Sequence, residues 1–118
     1  MIKDPKIFLQ HILESIGQIE KYVNGIEPDE FLKSAQIQDA VIRRLMIIGE
    51  ATKNLPLELR EKYTAIPWNE IAGMRDVLIH EYFGTDTELV WRTIKNDLPI
   101  FKRHIEEILA GLSLSRGG

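Results

Sequence analysis

Apolar residues at Phe8, Ile12, Ile16, Ile19, Val23 and Ile26 recur at gaps of three and four, the repeat of one face of an α-helix. The same period returns near the other end of the chain, through Val90, Ile94, Leu98, Phe101, Ile105, Ile108 and Leu112. No segment sustains the apolar–polar alternation of a half-buried strand, and no longer internal repeat is visible. Two long amphipathic helices therefore have to find partners, and the intervening chain has to supply them as helices.

The intervening punctuation supports this. Asp4 followed by Pro5 is an N-cap and first-turn pair for the first helix, which Asn24-Gly25 weakens. Pro28 opens a second helical run, expected to pass through Phe31 and Ala35 to about Lys53. In it Val41, Leu45, Ile48 and Thr52 mark one face, while Ile42, Met46 and Gly49 mark an adjoining one. That stripe is too wide for a single partner helix. A short helical turn is expected from Pro56, and a further helix from Pro67-Trp68 to about Tyr82-Phe83, where Gly84 can supply a left-handed C′ residue. Thr85 with Glu88 forms a capping box for the last helix. Pro99 lacks an amide and crowds the carbonyl of Lys95, which predicts a kink without ending the helix. The expected fold is all-α, an up-and-down bundle of four long helical segments plus short helices, paired as a two-fold dimer. Its domain is expected to span residues 1–112, with residues 113–118 a flexible tail.

Composition narrows the chemistry. A chain of 118 residues suits one domain, and 15 Lys+Arg against 18 Asp+Glu leave a net charge of −3. No global basic field draws in nucleic acid, so an RNA site would have to be a local positive pocket. The absence of cysteine excludes disulfides, thiolate nucleophiles and cysteine metal sites. Lys3, Asp4 and Lys6 punctuate the N-terminus and no long uncharged run follows, so neither a signal peptide nor a membrane span is expected and the address reads as cytoplasmic.

One stretch looks chemical: Arg75, His80 and Tyr82 near the end of a predicted helix. Arginine can grip a phosphate with two hydrogen bonds, histidine exchanges a proton near neutral pH, and tyrosine offers a hydroxyl that can be modified. On an unbroken helix Tyr82 falls within about 20° of Arg75, whereas His80 lies about 140° away. Either the helix unwinds before His80, or long side chains reach round, or a second protomer completes the site. The last option suits a two-fold dimer and the broad apolar stripe of the second run. Asp76 reads as an orienting group for Arg75 or His80, or equally as a solvated carboxylate. Glu50, near Ile47, Ile48 and Ala51, reads as a buried partner for Arg75 in preference to a surface residue. Taken singly, each residue has an ordinary structural role: an ion pair, a helix C-terminal cap, a core-edge ring. His11 and His104 lack a second ligand at metal spacing, and no metal or other cofactor is expected. Lys102-Arg103 reads as a solvated face before an RNA contact, Trp68 as core, and Gly73 as a place for close helix packing.

The pattern Arg-x4-His-x-Tyr followed by Phe83-Gly84 resembles the signature of the HEPN superfamily, most closely its HepT-like toxins. The likeness extends to residues 39–45, to Ile48-Gly49-Glu50-Ala51, and to Leu55-Pro56, Ile66-Pro67-Trp68 and Asp97-Leu98-Pro99. What it implies is a metal-independent endoribonuclease, the toxin of a toxin–antitoxin pair. The ribose 2′-OH would attack the adjacent phosphate, with Arg75 and His80 catalytic and Asp76 and Glu50 supporting. It also implies a dimer with paired motifs in a shared cleft, and a minimal nucleotidyltransferase antitoxin that transfers AMP to Tyr82. Two other classes remain open at this point: a non-catalytic HEPN domain that binds a nucleotidyltransferase or a nucleotide, and a purely structural helical adaptor.

Overall fold

The structure, a computed structural model, describes the backbone of residues 4–80 and 86–117 and the side chains of residues 4–78 and 86–112. Its elements are helices α1 (Pro5–Val23), α2 (Pro28–Lys33), α3 (Ala35–Lys53), α4 (Leu57–Lys62), α5 (Trp68–His80) and α6 (Thr87–Arg92), a π-helical turn at Thr93–Asp97, and α7 (Leu98–Gly117). No strand occurs among the described residues, and the all-α expectation holds. The long segments are α1, α3, α5 and the near-continuous run from α6 to α7.

Local chemistry sets the boundaries. The Asp4 carboxylate accepts the Lys6 amide at 3.0 Å and caps α1 as its sequence predicts. The second run is not continuous, however. Ser34 adopts an extended conformation (φ −105°, ψ 99°), and its hydroxyl accepts the Ile37 amide at 3.2 Å, so a new N-cap splits α2 from α3. Gln38 stitches the break by donating to the carbonyls of Phe31 and Leu32 at 2.9 and 3.0 Å. The last helical run is also capped differently from the expectation. Thr85 lies outside the described residues, and Asp86 is the N-cap, accepting the amides of Glu88 and Leu89 at 3.0 and 3.1 Å.

Pro99 disturbs the helix one turn earlier than its own position. The Leu98 amide donates to Thr93, five residues back, so the turn over Thr93–Asp97 is widened and the backbone then resumes as α7. One wide turn accommodates the missing amide while the helical course continues. The α7 backbone stays helical to Gly117, past the point where the tail was expected to begin.

The core is aliphatic. Leu9, Ile12, Ile16 and Ile19 of α1 meet Val41, Leu45 and Ile48 of α3, and Ile105 and Ile108 of α7 close the same cluster. Two helices share the broad stripe of α3: α1 packs along one side of it and α5 along the other. Its width is therefore satisfied within one chain. Phe31 is fully buried and its ring meets Trp91 of α6 at 5.1 Å, pinning the short helices to one end of the bundle. Trp68, buried as expected, donates its indole N–H to the Tyr63 carbonyl at 2.9 Å and meets Phe101 edge-on at 6.1 Å. The buried Thr52 hydroxyl is satisfied by the Ile48 carbonyl at 2.8 Å.

Candidate active site

The α3–α5 contact that carries Arg75 is built on Gly49. A Cβ added there would lie 3.1 Å from the Arg75 amide nitrogen, 3.2 Å from the Arg75 Cβ and 3.2 Å from the Ile71 carbonyl oxygen. Only a residue without a side chain lets the two backbones come this near. The role expected of Gly73 thus belongs to Gly49; Gly73 has open space around it. The helical wheel explains the exchange. Gly73 falls about 160° from Arg75 on α5, on the outward side, whereas Gly49 sits inside the apolar stripe of α3.

This close approach delivers Arg75 to the edge of α3. Its Nε lies 3.1 Å from a Glu50 carboxylate oxygen, and its Nη1 donates to Asp76 at 3.3 Å. Glu50 is therefore the Arg75 partner that its position suggests, but it is not buried: the side chains of Arg75 and Glu50 are 38% and 51% exposed. Asp76, which accepts this bond, is 61% exposed. Exposed pairs of this kind contribute only ~0–1 kcal/mol. They hold a guanidinium in place without locking it, and an incoming phosphate with two acceptor oxygens can compete for the same donors.

His80 closes α5, and the helix is unbroken from Trp68 to this residue. That removes the first of the three ways to bring Arg75 and His80 together, because no unwinding precedes His80. Along α5 the two positions diverge by about 140° and are separated by about 7.5 Å of rise. The His80 side chain lies outside the described residues, as do Tyr82 and the Gly84 at which the helix was expected to stop.

The other candidates take structural roles. Lys102 pairs with Glu20 at 3.0 Å, tying α7 to α1. This hydrogen bond and the Glu20 charge raise the Lys102 pKa above its ordinary value. Trp91 is half-buried, with the Lys95 ammonium 4.7 Å from its ring centre. His11 is exposed, and no group of three or more metal-ligating side chains occurs among the described residues. No described helix is long and apolar enough to cross a membrane.

Residues 12–108 match the family Ribonuclease HepT-like. The chain belongs to the HepT-like ribonuclease family. A Caldanaerobacter subterraneus protein named "putative RNase" is 46% identical over 108 residues, 92% of this chain and 96% of its own length. A Thermococcus cleftensis protein named "probable ribonuclease HepT" is 44% identical, over 92% of this chain and 98% of its own. A Methanocaldococcus jannaschii protein, named a gamma-glutamylcyclotransferase and "putative RNase", is 53% identical over 98% of this chain. This HepT-like chain spans 52% of the length of that relative. No solved structure gives a significant match.

Proposed function

We propose that this HepT-like protein is a metal-independent endoribonuclease and the toxin of a toxin–antitoxin pair. The observation that carries the reading is Arg75, set at the edge of α3 by the Gly49 contact and steadied at 3.1 Å by an exposed Glu50. In the proposed reaction Arg75 binds the scissile phosphate and offsets the charge that develops on its oxygens. The 2′-oxygen attacks phosphorus, the bond to the 5′-oxygen breaks, and the products are a 2′,3′-cyclic phosphate and a free 5′-hydroxyl. The 2′-OH proton passes to one imidazole and the leaving oxygen takes a proton from another. Two His80 side chains supply both roles in a two-fold dimer, where the Arg75 of one protomer works with the His80 of its partner. The unbroken α5 supports this arrangement, since the two groups diverge on one helix. Tyr82 is the proposed AMP acceptor for a nucleotidyltransferase antitoxin, and the cytoplasm is the proposed compartment.

Arg75→Ala and His80→Ala should each lower RNA cleavage by about 10²–10⁴-fold with helical content unchanged, and a chelator should leave wild-type cleavage intact. Mixing the two inactive variants should not restore activity, because a mixed dimer keeps a single His80 and the reaction uses the imidazoles of both protomers. Cleavage that requires added metal would overturn the mechanism. Full activity from a monomer would overturn the shared site.

A further inference from the structure

A groove of about 680 Å³ runs between α5 and the α6–α7 segment, floored by core residues such as Ile48 and Phe101. Three large apolar side chains on its lining stand out into solvent: Val77 at 57% exposure, Leu89 at 54% and Ile100 at 52%. They come from three different helical elements and converge on one opening. Neither Arg75, Asp76 nor Glu50 lines it, so the groove is distinct from the described Arg75–Glu50 edge.

The charge around the opening has one sign. Glu70, Asp86 and Asp97 line it, all of them exposed, and among the described residues no lysine or arginine does; His104 is the remaining described ionisable group. Three considerations select the occupant. A phosphate backbone is repelled by the carboxylates, so this is not an RNA track. A small molecule would be enclosed by its pocket, whereas Val77, Leu89 and Ile100 present apolar surface outward, where only a larger body can cover it. A second copy seated groove to groove would set the same three carboxylates against themselves, since a two-fold contact pairs a patch with itself.

We propose that this groove is a docking site for a cationic amphipathic helix of a partner protein. Apolar anchors at helical spacing would enter between α5 and α7, and lysines or arginines beside them would meet Glu70, Asp86 and Asp97. The docking does not depend on the nuclease reading, and its test reads binding alone.

The probe is a synthetic 18-residue peptide of leucine and lysine with the leucines on one helical face, with a leucine–glutamate peptide as its counterpart. Fluorescence anisotropy should show saturable one-to-one binding of the lysine peptide, and binding at least about tenfold weaker for the glutamate peptide. The double variant Leu89→Ser, Ile100→Ser and the double variant Glu70→Gln, Asp97→Asn should each weaken the lysine peptide by about tenfold or more. These side chains are exposed, and circular dichroism of each variant confirms that its fold is retained. Equal binding of the two peptides, no saturation, or indifference to both double variants overturns the proposal. So does a single-stranded RNA probe that binds and is lost in the same variants. Dissociation of a wild-type dimer by Leu89→Ser, Ile100→Ser would assign the groove to a second copy and overturn it as well.

Discussion

Gly49→Ala tests whether the α3–α5 contact is as tight as it looks. In an unhindered helix interior, alanine is favoured over glycine by ~1 kcal/mol. At Gly49 the new methyl would meet two backbone atoms and a Cβ of α5 at 3.1–3.2 Å, and none of these is the free end of a flexible side chain. Overpacking of this kind costs ~1–3 kcal/mol. The two effects oppose each other, and the net expectation is a loss of ~1 kcal/mol, with a thermal midpoint lower by roughly 4 °C. Urea unfolding should show the shift in midpoint at unchanged slope. Gly17→Ala and Gly73→Ala are the controls, because each lies inside a helix with nothing within 4 Å of the added carbon. Both should gain up to ~1 kcal/mol. Since the atoms pressed in Gly49→Ala include the amide and Cβ of Arg75, RNA cleavage at a temperature where the variant is fully folded should also fall, while the controls keep theirs. A Gly49→Ala protein stabilised like Gly17→Ala would refute the close-contact reasoning.

Asp86→Ala removes the acceptor for the Glu88 and Leu89 amides and should cost ~1 kcal/mol by thermal melting, whereas Asp86→Asn should cost much less. The Lys102–Glu20 pair raises the Lys102 pKa, so its contribution is fully present below the ordinary value of 10.5 and fades as pH rises through the folded-state value. Screening at this surface keeps the contribution to ~0.5 kcal/mol or less, and the difference in urea midpoint between wild type and Glu20→Gln should shrink from pH 8 to about pH 11.5. Incubation with a cognate nucleotidyltransferase and ATP should add the mass of AMP to the wild type and not to Tyr82→Phe; an equal gain in the mutant would place the acceptor elsewhere.

Much of the fold is legible because it is governed by periodicity and by caps that a short sequence window contains. Asp4-Pro5, the α1 stripe, the Pro56 turn and the Trp68 entry are local facts, and each becomes the corresponding element. The departures have tertiary or competing local causes. Ser34 interrupts the second run because its hydroxyl caps Ile37, a signal that is present in the sequence but masked by the strong stripe on both sides. Asp86 prevails over Thr85 as the described cap, and a carboxylate receiving two amides is the stronger device. In the candidate site, the Arg75–Glu50 pairing is legible from helical faces, but its exposure is not, since burial depends on how deep the α3–α5 seam lies. The groove beside α6 was missed altogether. Val77, Leu89 and Ile100 fall outside the apolar stripes of the sequence, and their shared opening appears only once α5 and the α6–α7 run are packed beside each other.

The packing around α3 also changes the argument about pairing. A stripe on α3 too broad for one neighbour looks like a request for a second protomer, but α1 and α5 together satisfy it within the chain. The case for a dimer then rests on the motif: α5 is helical through His80, and a straight helix cannot aim positions five residues apart at one phosphate without help from a long side chain or another copy. The exposed Val77, Leu89 and Ile100 lie elsewhere, over the groove, beside three carboxylates that disfavour a self-complementary contact. An Arg75 edge suited to a second motif and an acidic apolar groove suited to a basic helix are different surfaces.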